Sequence, residues 1–235
     1  MSDSLTVVLV HGALTDASVW HPVAARLQAA GHPVTAPPLP LRGLDADATE
    51  LATLLGSMPG SVVLVGHSYA GSVISHPSVA DPKVRALVFV AAFQPDDGET
   101  TGELNERFPG SGLTQENIAA RAYPGGTEIS LRPDAFREVY ANDVEPGHAA
   151  VMAASQRPID VTALSDGLPG KPVWRSVPSW TLVTTDDHSL PVRAQRFMAA
   201  RAGSHIVEVE SSHAAPVAHP DAVTDLIMQA VKAVS

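Results

Sequence analysis

The chain has 235 residues, and 45% of them are hydrophobic, which is enough for one sizeable core. The formal net charge of -10 opposes binding to nucleic acid and to anionic membranes, because both carry negative charge. The chain has no cysteine, so a disulfide framework, a thiolate metal site and a cysteine nucleophile are excluded. The start lacks a basic segment, and the apolar run from Leu5 to Val10 is too short for a signal peptide or a membrane span, so we expect a soluble, cytoplasmic protein.

The first predicted element is a buried strand from Leu5 to Val10, which ends in His11-Gly12-Ala13. Backbone N–H groups of such a loop lie at the edge where open α/β sheets bind ligands. The loop is therefore either an oxyanion donor or an ordinary connection to the next helix. Apolar spacing then predicts a helix over 20–30, a short strand over 33–36 and a further helix that Pro59-Gly60 ends.

Ser68 stands at the end of the next predicted strand. Val62-Val63-Leu64-Val65 is typical of a strand buried on both faces, and Gly66-His67-Ser68-Tyr69-Ala70 predicts a tight turn into a helix. Such a turn presents the serine at the end of the sheet, and small residues at Gly66 and Ala70 avoid collisions with the neighbouring strand and helix. The same pattern also arises by chance in turns, so a nucleophilic serine requires a base and an oxyanion site elsewhere in the chain.

The rest of the sequence predicts one domain over residues 1–235 with a single insertion. After a strand over 84–93, residues from about 95 to 177 lack a long apolar run, and we interpret them as an inserted, mainly helical cap over the sheet edge. The later elements are a strand over 179–185, a helix over 192–202, a strand over 205–209 and a helix over 220–234. This alternation predicts an α/β fold with a doubly wound, mostly parallel sheet.

Three polar residues follow strands in the order nucleophile, acid, base. They are Ser68, an aspartate after the 179–185 strand, and His213 after the last strand. Because parallel strands end at one edge of the sheet, we expect the three side chains to converge. His213 would act as general base toward Ser68 and then as general acid toward the leaving group, while the aspartate holds its tautomer. Asp186 and Asp187 both follow the strand, and their positions alone do not separate them.

Five segments together resemble the α/β-hydrolase superfamily, and within it the small esterases akin to plant methylesterases and hydroxynitrile lyases. The segments are His11-Gly12-Ala13, residues 66–71, residues 88–96, residues 183–191 and Ser212-His213. The family pattern Thr-x-Asp-x-x-(Ile/Leu)-Pro places the triad acid on Asp187. The resemblance also implies an α/β-hydrolase fold and an oxyanion hole made by the backbone N–H groups of Ala13 and Tyr69.

This resemblance implies a serine hydrolase that cleaves carboxylic esters of small, apolar substrates through an acyl-enzyme intermediate. The implied catalytic residues are Ser68, Asp187 and His213, with no metal and no cofactor. Hydroxynitrile lyases carry a lysine after the catalytic histidine, whereas alanines follow His213, which argues against cyanohydrin cleavage. A lactonase, an amidase or another activity on the same triad stays open, and so does a non-catalytic ligand-binding relative.

The substrate and the oligomeric state are not decided by the sequence. We expect a small-molecule ester as the partner and neither nucleic acid nor a membrane; a homodimer stays open. Six aromatic residues either line an apolar pocket under the cap or form the cap's own core. They are Trp20, Phe93, Phe108, Phe136, Tyr140 and Trp174.

Overall fold

The structure is a computed structural model that describes residues 5–235. This part of the chain contains nine strands, β1 (Thr6–Val10), β2 (Val34–Thr35), β3 (Val62–His67), β4 (Val84–Val90), β5 (Ile118–Tyr123), β6 (Gly126–Leu131), β7 (Ile159–Asp160), β8 (Ser179–Thr184) and β9 (His205–Val209). It also contains ten α-helices, α1 (His21–Ala29), α2 (Leu44–Ser57), α3 (Ala70–Ser75), α4 (Thr101–Glu106), α5 (Pro133–Tyr140), α6 (Pro146–Ser155), α7 (Thr162–Ser165), α8 (Val192–Ala202), α9 (Ala215–Ala218) and α10 (Pro220–Val234). Short 3-10 helices lie at Ala17–Trp20, Pro77–Val79 and Val173–Arg175.

The central sheet has six strands in the order β2-β1-β3-β4-β8-β9, and every neighbouring pair is parallel. Alternate side chains along its strands belong to two different cores. Val8 and Leu64 pack in the core that includes α2 and α3, whereas Val7 and Val63 pack in the core that includes α1 and α10. Helices therefore cover both faces, and the predicted doubly wound, mostly parallel sheet is confirmed.

The segment between β4 and β8 contains more than the predicted helices. Besides α4 to α7 it holds an antiparallel sheet in the order β5-β6-β7, which was not predicted from the sequence. β5 and β6 form a hairpin with the two-residue turn Pro124-Gly125. Most of β5 is exposed, so it lacks the apolar run that marks a buried strand. The Pro-Gly turn was the available sequence signal for this hairpin.

Helix α3 approaches the backbone after β4 closely at Gly71. A Cβ added to Gly71 would overlap the backbone of Phe93. That backbone is also tied to the turn before α3, because the N–H of Phe93 donates to the carbonyl of Ser68 at 3.2 Å. The near-contact of two backbones therefore requires glycine at this position.

We expect Gly71→Ala to lower the free energy of unfolding by about 1–3 kcal/mol, because the added methyl group forces α3 away from Phe93. Gly56→Ala is the matched control, since Gly56 lies in α2 with open space around its added Cβ. The control should be neutral or stabilising by up to about 1 kcal/mol through helix propensity. Urea unfolding measures both effects, and equal stability of the two variants would contradict the role assigned to Gly71.

Candidate active site

Ser68 occupies a strained turn between β3 and α3. Its φ of +55° lies in the left-handed region, which costs a non-glycine residue about 1–3 kcal/mol. The neighbouring backbone holds this conformation, because the N–H of Ser68 donates to the carbonyl of Val90 at 3.2 Å. Gly66 is needed beneath the turn, since an added Cβ would lie 2.9 Å from the carbonyl oxygen of Ala70. The turn places the Ser68 side chain at the C-terminal edge of the sheet, as predicted.

His213 connects the serine to a carboxylate. The hydroxyl of Ser68 lies 2.7 Å from Nε2 of His213, and Nδ1 of His213 lies 2.8 Å from Oδ2 of Asp187. A carboxylate accepts, so Nδ1 carries a hydrogen and Nε2 is free to accept from the Ser68 hydroxyl. All three residues are buried. The structure thus brings together the three side chains whose order along the chain predicted that they meet.

The structure distinguishes the two neighbouring aspartates. The side chain of Asp187 is fully buried beside His213, whereas that of Asp186 is 53% exposed. Asp186 accepts a hydrogen bond from Asn142 at 2.6 Å and lies 3.5 Å from His188. Its carboxylate therefore belongs to the surface, and the aspartate beside His213 is the one that the family pattern indicates.

Four further donors fix the Asp187 carboxylate. Oδ1 accepts from the backbone N–H groups of Ser189 and Leu190, both at 2.8 Å. Oδ2 accepts from the hydroxyl of Thr184 at 2.7 Å and from the side-chain amide of Gln195 at 3.0 Å, in addition to His213. A buried carboxylate is stable only when such donors replace water, so this network holds both its charge and its orientation.

Sequence reasoning missed Thr184 and Gln195. The available signal for Gln195 was its place in α8 between residues whose side chains are buried, Ala194 and Met198. A buried polar side chain in a helix almost always has a hydrogen-bond partner. Such a residue close to a predicted catalytic acid is therefore a candidate hydrogen-bond donor to that carboxylate.

The predicted oxyanion donors lie beside the serine. Gly12 contacts the turn, because a Cβ added there would lie 2.7 Å from Cβ of Ser68. Among residues 5–235 no backbone carbonyl accepts from the N–H of Ala13 or of Tyr69, so both remain free for a ligand. The phenol of Tyr69 donates to Asp47 at 2.8 Å, which anchors this residue from behind. Burial and the Asp47 carboxylate raise the pKa of Tyr69 well above its usual value, so the phenol keeps its proton.

His67, which precedes the nucleophile, contacts the base from the protein interior. Its Nε2 donates to the backbone carbonyl of His213 at 2.8 Å, and the two rings lie 4.9 Å apart between centroids. Complete burial, aided by the positive charge of a protonated His213, lowers the pKa of His67 well below its usual value. His67 therefore stays neutral and holds the loop that carries His213 against the turn.

A cavity of about 600 Å³ opens above Ser68. Its floor includes Ala13, Ser68, Tyr69 and His213, and the segment between β4 and β8 supplies most of its wall. The wall is largely apolar and includes Phe108, Leu113, Ile118, Ile129, Ile159, Val161 and Leu164. Of the aromatic residues considered in the sequence analysis, Phe93, Phe108 and Tyr140 line the cavity, while Trp20, Phe136 and Trp174 are buried in the cores.

Two features of the described residues concern metals and membranes. None of their His, Asp and Glu side chains form a group of three or more that is suited to hold a metal ion. None of their helices is long and apolar enough to cross a membrane. The absence of a cofactor and the cytoplasmic location stay predictions from the sequence.

Comparisons with known proteins bear on the family and the fold of the chain. A sequence model described as "Alpha/beta hydrolase family" matches residues 7–226, a range that includes every residue of the candidate site. Methylesterase 1 of Arabidopsis thaliana is 30% identical, with 81% of each chain covered. Esterase PIR7B of Oryza sativa subsp. japonica is 28% identical, with 94% of each chain covered. The crystal structure of polyneuridine aldehyde esterase has a TM-score of 0.82 at 21% identity, over 96% of this chain and 98% of that chain, which shows a shared fold.

We expect Gln195→Met to lower kcat by about 10-fold or more with little change in KM. The variant removes the hydrogen bonds of the amide to the Asp187 carboxylate, to Thr184 and to the Leu190 carbonyl, which together hold the acid that orients His213. Methionine has a similar shape without the amide. Gln28→Met on the exposed face of α1 is the control and should match the wild-type protein. Steady-state ester hydrolysis measures both constants, and an unchanged kcat in Gln195→Met would refute the role of this amide.

Proposed function

Because the chain belongs to the alpha/beta hydrolase family, as its motifs predicted, we propose that it hydrolyses carboxylic esters of small, apolar molecules through an acyl-enzyme intermediate on Ser68. One observation carries the proposal. The Ser68 hydroxyl, the His213 ring and the Asp187 carboxylate form a continuous hydrogen-bonded chain at the floor of an apolar cavity. Relatives named methylesterase and esterase support the same chemistry.

The first half of the reaction transfers the acyl group to the enzyme. Oγ of Ser68 attacks the ester carbonyl carbon while Nε2 of His213 takes the hydroxyl proton, and the carbonyl oxygen becomes an oxyanion. The N–H groups of Ala13 and Tyr69 stabilise that charge; one such donor is typically worth about 100- to 1,000-fold in rate. The Asp187 carboxylate stabilises the imidazolium of His213. His213 then protonates the alcohol oxygen, the C–O bond breaks, and the alcohol leaves.

The second half returns the enzyme to its starting state. Water attacks the acyl carbon while His213 takes a proton from the water, and a second oxyanion forms beside the N–H groups of Ala13 and Tyr69. When this intermediate collapses, Ser68 regains its proton from His213 and the carboxylic acid is released. The balance is one ester and one water to one alcohol and one acid, and it needs no redox partner.

The cavity supports a substrate of limited size and low polarity. A volume of about 600 Å³ lies within the range of pockets for small organic molecules. Among the described residues that line it, Glu106 is the one with a formal charge, and neither lysine nor arginine is present to bind an anionic substrate. Burial of a charged substrate group against the apolar wall would cost free energy without a partner. Uncharged esters therefore fit the site best.

We expect Ser68→Ala to abolish the turnover of short-chain p-nitrophenyl esters, since the variant lacks the attacking oxygen. Ser75→Ala is the matched control, because Ser75 is a buried serine of α3 whose hydroxyl donates to the Gly71 carbonyl. A fluorophosphonate probe followed by mass spectrometry should label Ser68 in the wild-type protein and in the control. Turnover by Ser68→Ala at the wild-type rate would refute the proposed nucleophile. Labelled protein without ester turnover would indicate a lactone or an amide as the substrate, whereas neither labelling nor turnover would indicate a ligand-binding role.

We expect Asp187→Asn to lower kcat by about 1,000- to 10,000-fold, because an amide at this place leaves His213 without a carboxylate and favours the wrong tautomer. Asp186→Asn is the matched control: it makes the same chemical change one residue away, on the surface, and should stay close to the wild-type rate. Steady-state kinetics of both variants with the same ester decide the assignment. A larger loss in Asp186→Asn would reverse it.

A further inference from the structure

His11 is a buried histidine that the proposed reaction does not use. It directly follows β1, and its side chain has no exposed surface. Both of its ring nitrogens are hydrogen-bonded to the backbone. Nδ1 lies 2.8 Å from the carbonyl oxygen of Gly12, and Nε2 lies 2.9 Å from the backbone nitrogen of Leu39.

These two partners fix the state of the His11 ring. A carbonyl oxygen only accepts, so Nδ1 carries the hydrogen; a backbone N–H only donates, so Nε2 is bare. Only a neutral imidazole satisfies both bonds. Burial lowers the pKa of His11, and the positive charge of Arg157 lowers it further. The hydrogen bond to the Gly12 carbonyl and the charge of Asp16 raise it, but the net pKa is below the usual value. The ring is therefore neutral and held in one tautomer.

The carbonyl that His11 binds belongs to the same peptide unit as a proposed oxyanion donor. The C=O of Gly12 and the N–H of Ala13 lie in one planar, trans peptide, in which they point in opposite directions. A hydrogen bond that holds the carbonyl toward His11 therefore directs the Ala13 N–H to the opposite side. Ala13 lines the cavity together with Ser68, and Gly12 lies against Ser68.

The other contacts of this loop hold different peptide units. The N–H of Leu14 donates to the carbonyl of Arg157 at 3.1 Å, and the phenol of Tyr140 lies 3.5 Å from the carbonyl of Ala13. Neither contact fixes the Gly12–Ala13 peptide itself. Glycine tolerates a wide range of backbone angles, so this peptide can rotate unless its carbonyl is held.

We propose that His11 is a positioning residue that aims the Ala13 N–H at the substrate oxyanion by holding the Gly12 carbonyl. The inference rests on the proposed ester hydrolysis and assigns no bond-breaking step to His11. Without this bond, the Gly12–Ala13 peptide can turn and the oxyanion loses one of its two donors. The loss acts on the transition state, where the charge develops, and not on substrate binding.

Two substitutions at His11 separate this role from simple packing. His11→Asn places an amide nitrogen near the position of Nδ1, so it keeps a donor for the Gly12 carbonyl and loses the acceptor for Leu39. His11→Gln places its amide near Nε2, so it keeps the acceptor and loses the donor. We expect kcat to fall by about 10- to 100-fold in His11→Gln and by only a few fold in His11→Asn, with KM little changed in both.

A trifluoromethyl ketone provides a second measurement, because its adduct with Ser68 carries an oxyanion. Its inhibition constant should rise in His11→Gln by the same factor as kcat/KM falls, while in His11→Asn it should stay near the wild-type value. Thermal unfolding of both variants shows whether activity merely follows stability. If His11→Gln does not fold, His11→Leu replaces it, because leucine has nearly the shape of asparagine and offers no donor.

The possible results bear on two separate conclusions. If the wild-type enzyme is active and kcat falls equally in His11→Asn and His11→Gln, the role of His11 is overturned. The same holds if kcat follows only the unfolding temperature. In both cases ester hydrolysis itself stands. The role of His11 is supported if His11→Asn keeps most of the activity and the trifluoromethyl ketone inhibits His11→Gln more weakly than the wild-type protein. A wild-type protein that turns over no ester refutes the proposed function and, with it, this inference.

Discussion

The left-handed backbone at Ser68 is the constraint on which the rest of the site depends. A serine at φ +55° is unfavourable, so the surrounding structure must hold it there. Glycines at three neighbouring positions allow this, because an added Cβ at Gly12, Gly66 or Gly71 would meet other atoms at less than ordinary contact distance. The close packing of the turn, the β1 loop and the segment after β4 is therefore one arrangement. It places a hydroxyl, two free N–H groups and a cavity within the same small volume.

The electrostatics of the site depend on which buried histidine can take a proton. His11 and His67 both donate to backbone carbonyls, and burial lowers the pKa of each. His213 instead pairs with the Asp187 carboxylate through Nδ1 and with the Ser68 hydroxyl through Nε2. Three imidazoles near one serine thus have separate tasks: two stay neutral and hold loops in place, and the third moves the proton. A second protonated imidazole beside His213 would oppose that step through like-charge repulsion.

The sequence predicted the parts of this site that depend on topology. Parallel strands end at one edge, so the positions of Ser68, an aspartate and His213 after β3, β8 and β9 were sufficient to predict that they meet. Position after β8 did not separate Asp186 from Asp187. The family pattern indicated Asp187, and the conformation of the loop is what turns that side chain toward His213. Gln195 reaches the acid only because α8 packs beside β8, a contact between elements that local patterns do not specify. The antiparallel sheet of the insertion escaped prediction for a different reason, since β5 is mostly exposed and has no long apolar run.

The insertion also helps to hold the two loops that carry the acid and the base. The hydroxyl of Ser189, two residues after Asp187, donates to the carbonyl of Val139 in α5 at 2.8 Å. Just beyond α5, the carboxylate of Asp143 accepts from the N–H of Ser212 at 2.9 Å, directly before His213. Burial alone would raise the pKa of Asp143, but hydrogen bonds from Ser212 and Ser211 lower it, so the carboxylate stays charged and the contact is strong. The segment that encloses the cavity is therefore bonded to both sides of the proton path. The alignment of His213 with Asp187 thus depends on α5 and the residues just after it as well as on the central sheet.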